Sequence, residues 1–314
     1  MPSFLIKRLA QAVLVIWLVS LITFTVVNLA PGGPSILANM SFSEVERERI
    51  AADFGLDAPL HLRYLAWISS ALRLDFGSSY QYSMPVGELI ADRLPNTLLL
   101  GGAALLISVL VGIPLGVLSA TRRYSVLDYL ATTFSFFGLS IPAFWLGILL
   151  IMLFGVTLNW LPTGGLSASR GFDLLDRLTH LVLPASVLAT VTLPNIVRYT
   201  RSSMLQVLGQ DYVRTARAKG LVDRVVLYKH TLRNALFPVV TVIGLLVPQL
   251  LSGSVITEQV FAWPGMGRLA VQSALARDFP LVMGLSLVAS ILVVMTNLIV
   301  DMFYALLDPR VKLE

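Results

Sequence analysis

Few residues in this sequence are arranged for hydrolytic chemistry. Two Gly-x-Ser triplets, Gly138-Leu-Ser140 and Gly284-Leu-Ser286, lie inside apolar runs. A serine nucleophile also needs a general base close by. Of the three histidines, His61 and His230 fall outside the apolar runs, and His180 lies at the end of one. We therefore predict that the chain contains no catalytic residue.

The sequence also lacks the patterns that usually bind metals or nucleotides. It contains no cysteine, which excludes disulfides and thiolate zinc sites, and it has no His-Glu-x-x-His motif. No cluster of histidine and acidic residues marks another metal site. A Gly-x-x-x-x-Gly-Lys-Ser/Thr loop for nucleotide phosphates is absent as well. We therefore expect no metal and no cofactor in this chain.

Several polar residues lie close together near the end of the apolar run at residues 234–257. They are Gln249, Ser252, Gly253, Ser254, Thr257 and Glu258. We predict a pathway or gate role for all of these except the glycine. Serine and glycine also let helices pack closely, so the group equally fits a structural role. Glu258 lies at the boundary of the run, which favours the mouth of a pathway over its midplane.

The composition indicates a membrane protein. Of 314 residues, 56% are hydrophobic and 13% are charged, and the mean hydropathy is +0.80. A spanning helix needs about 20 mostly apolar residues. The first suitable run follows Lys7 and Arg8, like the apolar part of a signal peptide, but it is longer than such a part usually is. The runs are 9–29, 94–121, 129 to near 156, 178–197, 234–257 and 279–300. We predict an all-α, polytopic membrane protein with six transmembrane helices.

The basic residues predict the orientation. If both termini are cytoplasmic, the cytoplasmic segments hold 14 of the 23 Lys and Arg residues and 6 of the 18 acidic residues, as is typical of cytoplasmic loops. We attribute the net charge of +5 to this topology and expect no nucleic-acid partner. The predicted parts are a transmembrane helix (1–30), an external helical insertion (31–96), a core domain of five transmembrane helices (97–307) with a cytoplasmic loop (201–233), and a cytoplasmic tail (308–314).

The loop at 201–233 has a pattern of helix, break and helix. Asp211 can cap a helix that continues through Ala216 and meets Gly220, and a second helix is expected to begin near Asp223 and to continue into the fifth span. Such a loop would project from the membrane. On charge alone, it also fits an ordinary loop whose basic residues face lipid phosphates.

The residues of the loop favour a more specific interpretation. Residues 211–221, Asp-Tyr-Val-Arg-Thr-Ala-Arg-Ala-Lys-Gly-Leu, resemble the loop by which ABC importer permeases dock onto their ATPase subunits. Only Ala216 and Gly220 agree with that family's general signature, but the branch of dipeptide, oligopeptide and nickel importer permeases matches far better. Further matches are Gly55-Leu-Asp-Ala-Pro-Leu60, Asp75-Phe-Gly77, Arg93-Leu-Pro-Asn-Thr97, Phe261-Ala-Trp-Pro-Gly265, Arg277-Asp-Phe-Pro280 and Leu307-Asp-Pro-Arg310.

This resemblance covers essentially the whole chain and implies the transmembrane domain of a type I ABC importer in a bacterial-type plasma (inner) membrane. The implied partners are a second homologous permease, generally a different chain in this branch, two ABC ATPase subunits that bind ATP and Mg, and an extracytoplasmic substrate-binding protein. The implied ATPase-coupling residues are Asp211, Tyr212, Arg214, Thr215, Ala216, Lys219, Gly220 and Arg224. We expect Ala216 and Gly220 to allow close packing and the charged residues to make rim contacts.

The sequence leaves the substrate open. Peptides are the expected substrates by resemblance, and nickel or another small solute is the alternative within the same importer type. A secondary transporter is a further alternative, which would usually show buried carboxylates or paired broken helices near the midplane. Asp301 lies at the inner edge of a predicted span.

Overall fold

The computed structural model describes residues 2–30, 58–168 and 173–307. Within these ranges the chain is almost entirely helical, and residues 31–57 of the predicted insertion and the tail at 308–314 lie outside them. The helices are α1 (Pro2–Leu29), α2 (Leu60–Ala71), α3 (Val86–Thr121), α4 (Val126–Ser140), α5 (Ala143–Leu150), α6 (Leu174–Leu208), α7 (Asp211–Ala218), α8 (Asp223–Val225), α9 (Arg233–Val260), α10 (Met266–Leu275) and α11 (Phe279–Leu307), with π-helical segments π1 (Ile151–Thr157) and π2 (Val226–Leu232).

Five helical stretches among the described residues are long and apolar enough to cross a membrane. They are Ile6–Leu29, Val86–Thr121, Leu174–Leu208, Asp223–Leu251 and Phe279–Met302. The third predicted span is not one continuous helix, because α4 and α5 are separate. Pro142 has no backbone N–H, and Ile141 before it is extended, with φ −86° and ψ 126°. A proline and its predecessor therefore divide this apolar run into two shorter helices and π1.

The chain folds into two compact units. Among the described residues, the first comprises 2–30, 58–96 and 264–298, and the second comprises 97–168, 173–263 and 299–307. The first unit therefore contains α1, α2, α10, the beginning of α3 and most of α11. The second contains α4 to α9 and the remainder of α3 and α11. Each unit has hydrophobic clusters of its own.

In the first unit, the end of α1 is tied to α2. The Phe24 and Tyr64 rings meet edge to face, with their centroids 5.3 Å apart. The Ser20 and Tyr64 hydroxyls are 2.8 Å apart, and Arg63 donates a hydrogen bond to the Asn28 side chain at 2.5 Å. Only 11% of the apolar window of α1 is buried, which suits a helix that faces lipid.

A buried aspartate organises the turn before α3 in the first unit. Asp278 is fully buried, and it accepts hydrogen bonds from the Ser79 hydroxyl at 2.5 Å and the Gln81 backbone N–H at 3.0 Å. Burial and, to a lesser extent, the charge of Asp278 raise the pKa of Tyr80 to about 12, whereas Arg63 opposes that shift. The Asp-Phe-Pro match therefore has a structural reason, because its aspartate holds the 79–81 turn.

The core of the first unit lies between α3, α10 and α11. Its buried residues are Val86, Leu89, Ile90, Met266, Leu269, Leu281 and Leu285. A Cβ atom at Gly284 would lie 2.7 Å from Val86 Cγ1, closer than packed atoms approach. The glycine of the Gly284-Leu-Ser286 triplet therefore has a packing role between α11 and α3.

In the second unit, α6 is the central helix, with 67% of its apolar window buried. It approaches α3 closely along the two glycines Gly112 and Gly116. A Cβ atom at Gly112 would lie 2.9 Å from Ile196 Cγ2, and one at Gly116 would lie 2.5 Å from Thr200 Cβ. Glycines spaced four residues apart are a common way to bring membrane helices together. The pair therefore fixes α3 against the half of α6 that leads into the loop at 209–222.

Candidate functional site

The predicted coupling loop folds as a short amphipathic helix. The helix is α7, and Gln210, not Asp211, is its N-cap residue, without a side-chain cap hydrogen bond. Val213 is fully buried and Ala216 is 7% exposed. Both pack against Val226, with Val207 at the edge of the same cluster. A small apolar cluster therefore holds α7 on the chain that surrounds it.

The rest of the loop surface is exposed to solvent. The exposed residues with predicted coupling roles are Asp211, Tyr212, Arg214, Thr215, Lys219, Gly220 and Arg224. Arg214 and Asp211 are 3.6 Å apart, with side chains that are 73% and 96% exposed. Ion pairs this exposed contribute little to stability. The charged side chains are therefore available to a partner.

Gly220 ends the helix in a conformation that favours glycine. Its φ is +76°, and no heavy atom lies within 4 Å of the position of an added Cβ. The Gly220 N–H donates to the Arg217 carbonyl at 2.9 Å, and the Leu221 N–H donates to the Ala216 carbonyl at 3.4 Å. Backbone conformation, and not close packing within this chain, accounts for the glycine.

The second helix of the loop runs directly into α9. It begins at Asp223, as the sequence predicts, and continues through π2 without interruption. Asn234 Nδ2 donates to the Tyr212 hydroxyl at 2.9 Å. The Ser203 hydroxyl donates to the Ala235 carbonyl at 2.7 Å, which joins α6 to the start of α9. Because α7 lies between helices that are joined at their ends, a force on α7 would reach both.

An ion pair that the sequence analysis missed lies beside this region. Arg201 on α6 donates from Nε to Asp128 Oδ1 at 2.7 Å and from Nη2 to Asp128 Oδ2 at 2.8 Å. Asp128 also accepts hydrogen bonds from the Ser119 hydroxyl and the Tyr124 backbone N–H. The sequence contained one signal: a lone acidic residue at the start of the third apolar run and a basic residue just after the fourth.

The predicted pathway residues divide between two environments. Ser254, Thr257 and Glu258 are at most 1% exposed, whereas Gln249 is exposed. The structure describes only the backbone at Ser252. Leu245, Ile256 and Gln259 are exposed like Gln249, at spacings that place all four on one side of α9.

Glu258 is held inside the second unit. Its Oε1 accepts a hydrogen bond from the Thr97 hydroxyl at 2.8 Å, and its carbonyl accepts one from the Trp263 N–H at 2.9 Å. Trp263 is itself fully buried. In this conformation Glu258 therefore joins Thr97 of α3 to the end of α9.

The histidine inside an apolar run has local partners. His180 Nδ1 lies 2.8 Å from the Asp176 carbonyl and 3.2 Å from its carboxylate. Asp176 also accepts hydrogen bonds from the Ser167 hydroxyl and the Ala168 N–H, which ties the start of α6 to the segment before it. Among the described residues, no group of three or more His, Asp or Glu side chains is close enough to hold a metal.

Two family models match this sequence. The model described as "Binding-protein-dependent transport system inner membrane component" matches residues 112–313. An N-terminal model, described as "Binding-prot-dependent transport system membrane comp, N-term", matches residues 1–101. Together the two matches include α1 and the whole loop between α6 and α9.

Curated relatives and solved structures agree with these matches. The chain is 45% identical to the oligopeptide transport system permease protein AppB of Bacillus subtilis, covering 99% of this chain and 100% of that protein. It is 38% identical to the dipeptide transport system permease protein DppB of Escherichia coli, covering 99% of each. An inward-facing structure of the MetNI methionine ABC transporter matches with a TM-score of 0.55 at 19% identity, covering 70% of this chain and 96% of that chain. The structural match shows the fold of an ABC importer transmembrane domain.

Proposed function

This chain belongs to the family of binding-protein-dependent transport system inner membrane components, and we propose that it forms half of the peptide pathway of an ATP-driven ABC importer. The observation that carries this proposal is the similarity over its full length to permeases named for oligopeptide and dipeptide transport. Neither the loop nor the pathway residues identify a peptide directly, so the substrate class follows from those relatives.

We propose that both termini lie in the cytoplasm of a bacterial-type cell. The loop between α6 and α9 then lies in the cytoplasm, and α2 with the turn at 79–81 lies outside. The excess of Lys and Arg on the loop side supports this orientation. The parts of the chain are then the helix at 1–30, the external insertion at 31–96, the core domain at 97–307 and the tail at 308–314.

Coupling to ATP would work through α7. ATP and Mg bind to two separate ATPase subunits, and α7 rests in a groove of one of them. Its exposed side chains Tyr212, Arg214 and Thr215, with Lys219 just after it, contact the ATPase, while Val213 and Ala216 hold the helix on this chain. Closure of the ATPase pair would then displace α6 and α9 together, as a rigid-body switch.

The pathway would lie along the exposed side of α9. Gln249 and Gln259 supply polar groups there, beside Leu245 and Ile256. Main-chain amides of a peptide need such hydrogen-bonding groups, because an apolar wall would leave them unpaired. The buried Glu258 would hold the end of α9 in place instead of meeting the substrate in this conformation.

The complete importer would contain three other kinds of subunit. A second, homologous permease, which we propose to be a different chain, would face the exposed side of α9. Two ATPases would bind the cytoplasmic loops, and an extracytoplasmic binding protein would deliver the peptide. Hydrolysis of ATP would occur on the ATPases, and this chain would contribute no catalytic residue.

Uptake into membrane vesicles tests this function. A labelled dipeptide or oligopeptide is supplied with its binding protein, and ATP is varied inside. We expect uptake that needs ATP and persists in the presence of ionophores. Uptake that collapses with ionophores but not with ATP depletion would identify a secondary transporter. Uptake of nickel without uptake of peptide would support the importer function and would change the proposed substrate from peptide to nickel.

A further inference from the structure

A cavity of about 300 Å³ lies where α4 and α6 meet in the second unit. Two arginines and three hydroxyl groups contribute to its wall: Arg198, Arg201, Thr132, Ser135 and Ser202. The predicted coupling and pathway residues form no part of this wall. Guanidinium and hydroxyl groups together are the donors that phosphate oxygens accept. The polar side chains of this wall therefore suit an anion.

The two arginines differ in how their charge is balanced. Arg201 is neutralised by its two hydrogen bonds to Asp128. Arg198 forms no salt bridge within the described part of the chain, and its contacts are a 3.4 Å hydrogen bond to Asn195 and the ring of Tyr199, whose centroid is 5.4 Å away. The cavity therefore carries one positive charge that no carboxylate balances.

The sequence places this cavity at the edge of the hydrocarbon. Arg198 is the first charged residue after the uncharged run at 178–197 of α6. Asp128 is the last charged residue before the uncharged run that begins at Tyr129. Both boundaries face the same side of the membrane as the loop at 209–222. A charge at this depth lies level with lipid phosphates.

Apolar side chains complete the wall of the cavity. Pro194 and Val197 line it beside the two arginines. Apolar side chains on a spanning helix suit acyl chains. A molecule with an anionic phosphate and acyl chains would fit both surfaces.

We propose that this cavity binds the phosphate group of an anionic phospholipid of the surrounding membrane. Arg198 supplies the charge, and Thr132 and Ser202 donate from their hydroxyls. The Asp128–Arg201 pair forms the rigid side of the site. The lipid would stabilise the packing of α4 on α6, next to the loop that receives the ATPases.

Lipid retention tests the proposal. The full-length chain, purified with the subunits that accompany it, is placed in nanodiscs of phosphatidylcholine with or without phosphatidylglycerol, and bound lipids are counted by native mass spectrometry. We expect retained phosphatidylglycerol, with preference reduced about tenfold in Arg198→Gln, the effect of losing one charge-assisted hydrogen bond. Arg122→Gln is the matched control, because Arg122 is exposed near the same boundary and does not line the cavity.

Two results would overturn the proposal. Equal phosphatidylglycerol retention by wild type and Arg198→Gln would show that Arg198 binds no lipid phosphate. Unchanged lipid retention together with a raised KM for peptide uptake in Arg198→Gln would show that the cavity holds the carboxylate of a transported solute. Thr132→Val, which preserves shape and charge and removes a hydroxyl, should also lower phosphatidylglycerol retention, and unchanged retention would contradict the role of Thr132 as a donor.

Discussion

Asp128 and Arg201 join the first turn of α4 to α6 through two parallel hydrogen bonds of 2.7 and 2.8 Å. Both oxygens of the carboxylate have a second donor, because Ser119 and the Tyr124 N–H also bind it. The pair lies just before the part of α6 that leads into α7. The pair therefore stabilises the contact between α4 and the part of α6 that precedes the coupling loop.

Removing the charge of Asp128 should weaken the fold. Asp128→Asn leaves Arg201 partly buried without a counter-ion, and we expect a loss of about 2 kcal/mol in the free energy of unfolding. The measurement is thermal unfolding of the purified complex in detergent. Asp92→Asn, at a carboxylate that is 74% exposed and lies outside the coupling loop, is the control and should change little. Equal stability of Asp128→Asn and wild type would contradict this role of the pair.

Substitutions at Gly220 should show whether the glycine is needed for its backbone conformation or for close packing against a partner. Gly220→Val should cost at least 1 kcal/mol of loop stability, because a β-branched residue rarely adopts a φ of +76°. Gly220→Asn should be much milder, because asparagine tolerates this region. Peptide-stimulated ATP hydrolysis should fall strongly in the first variant and little in the second. Equal loss in both would mean that the glycine is needed for close contact with a partner.

The two environments on α9 can be distinguished with cysteines. The natural chain has no cysteine, so single substitutions provide a clean background. A thiol reagent should label Gln249→Cys and Gln259→Cys readily, and Ser254→Cys and Thr257→Cys slowly or not at all. Transported peptide should slow labelling at Gln249→Cys if that side lines the pathway. Rapid labelling of Ser254→Cys or Thr257→Cys would contradict the burial of these two side chains.

Cysteine labelling also tests the orientation. Ser69→Cys on α2 and Thr215→Cys on α7 both place a thiol at an exposed position. In intact cells, an impermeant maleimide should label Ser69→Cys, whereas Thr215→Cys should need permeabilised cells. The reverse pattern would place the loop outside and separate it from cytoplasmic ATPases.

The sequence predicted the elements that depend on local pattern. The helix, the glycine break and the second helix of the loop follow from a short run of residues, and the structure places them at Asp211–Ala218, Gly220 and Asp223. The apolar runs likewise predicted the five long helices. The division of the third run at Pro142 could not be expected from the proline alone, because α6 continues through Pro184 and Pro194 and α9 continues through Pro238 and Pro248.

Long-range pairing could not be predicted in the same way. Arg201 meets an aspartate 73 residues away, and Thr97 meets a glutamate 161 residues away. Nothing in the spacing of single residues selects such partners. For the same reason, the sequence grouped Gln249 with Ser254, Thr257 and Glu258, and only the packing of α9 separates the exposed residue from the buried three.

The most direct test asks whether the exposed side of α7 binds the ATPases. The complex is purified from its membrane through this chain, and the co-purified ATPase and the peptide-stimulated ATP hydrolysis are measured. The variant carries Arg214→Glu and Lys219→Glu, and the control carries Arg122→Glu and Arg123→Glu, the same charge change at other exposed positions.

We expect the loop variant to lose ATPase subunits and at least tenfold in stimulated hydrolysis, because like charges at an interface cost several kcal/mol. The control should keep both at wild-type levels. A loop variant that retains a full complement of ATPase and unchanged hydrolysis would contradict the assignment of α7 as the coupling element.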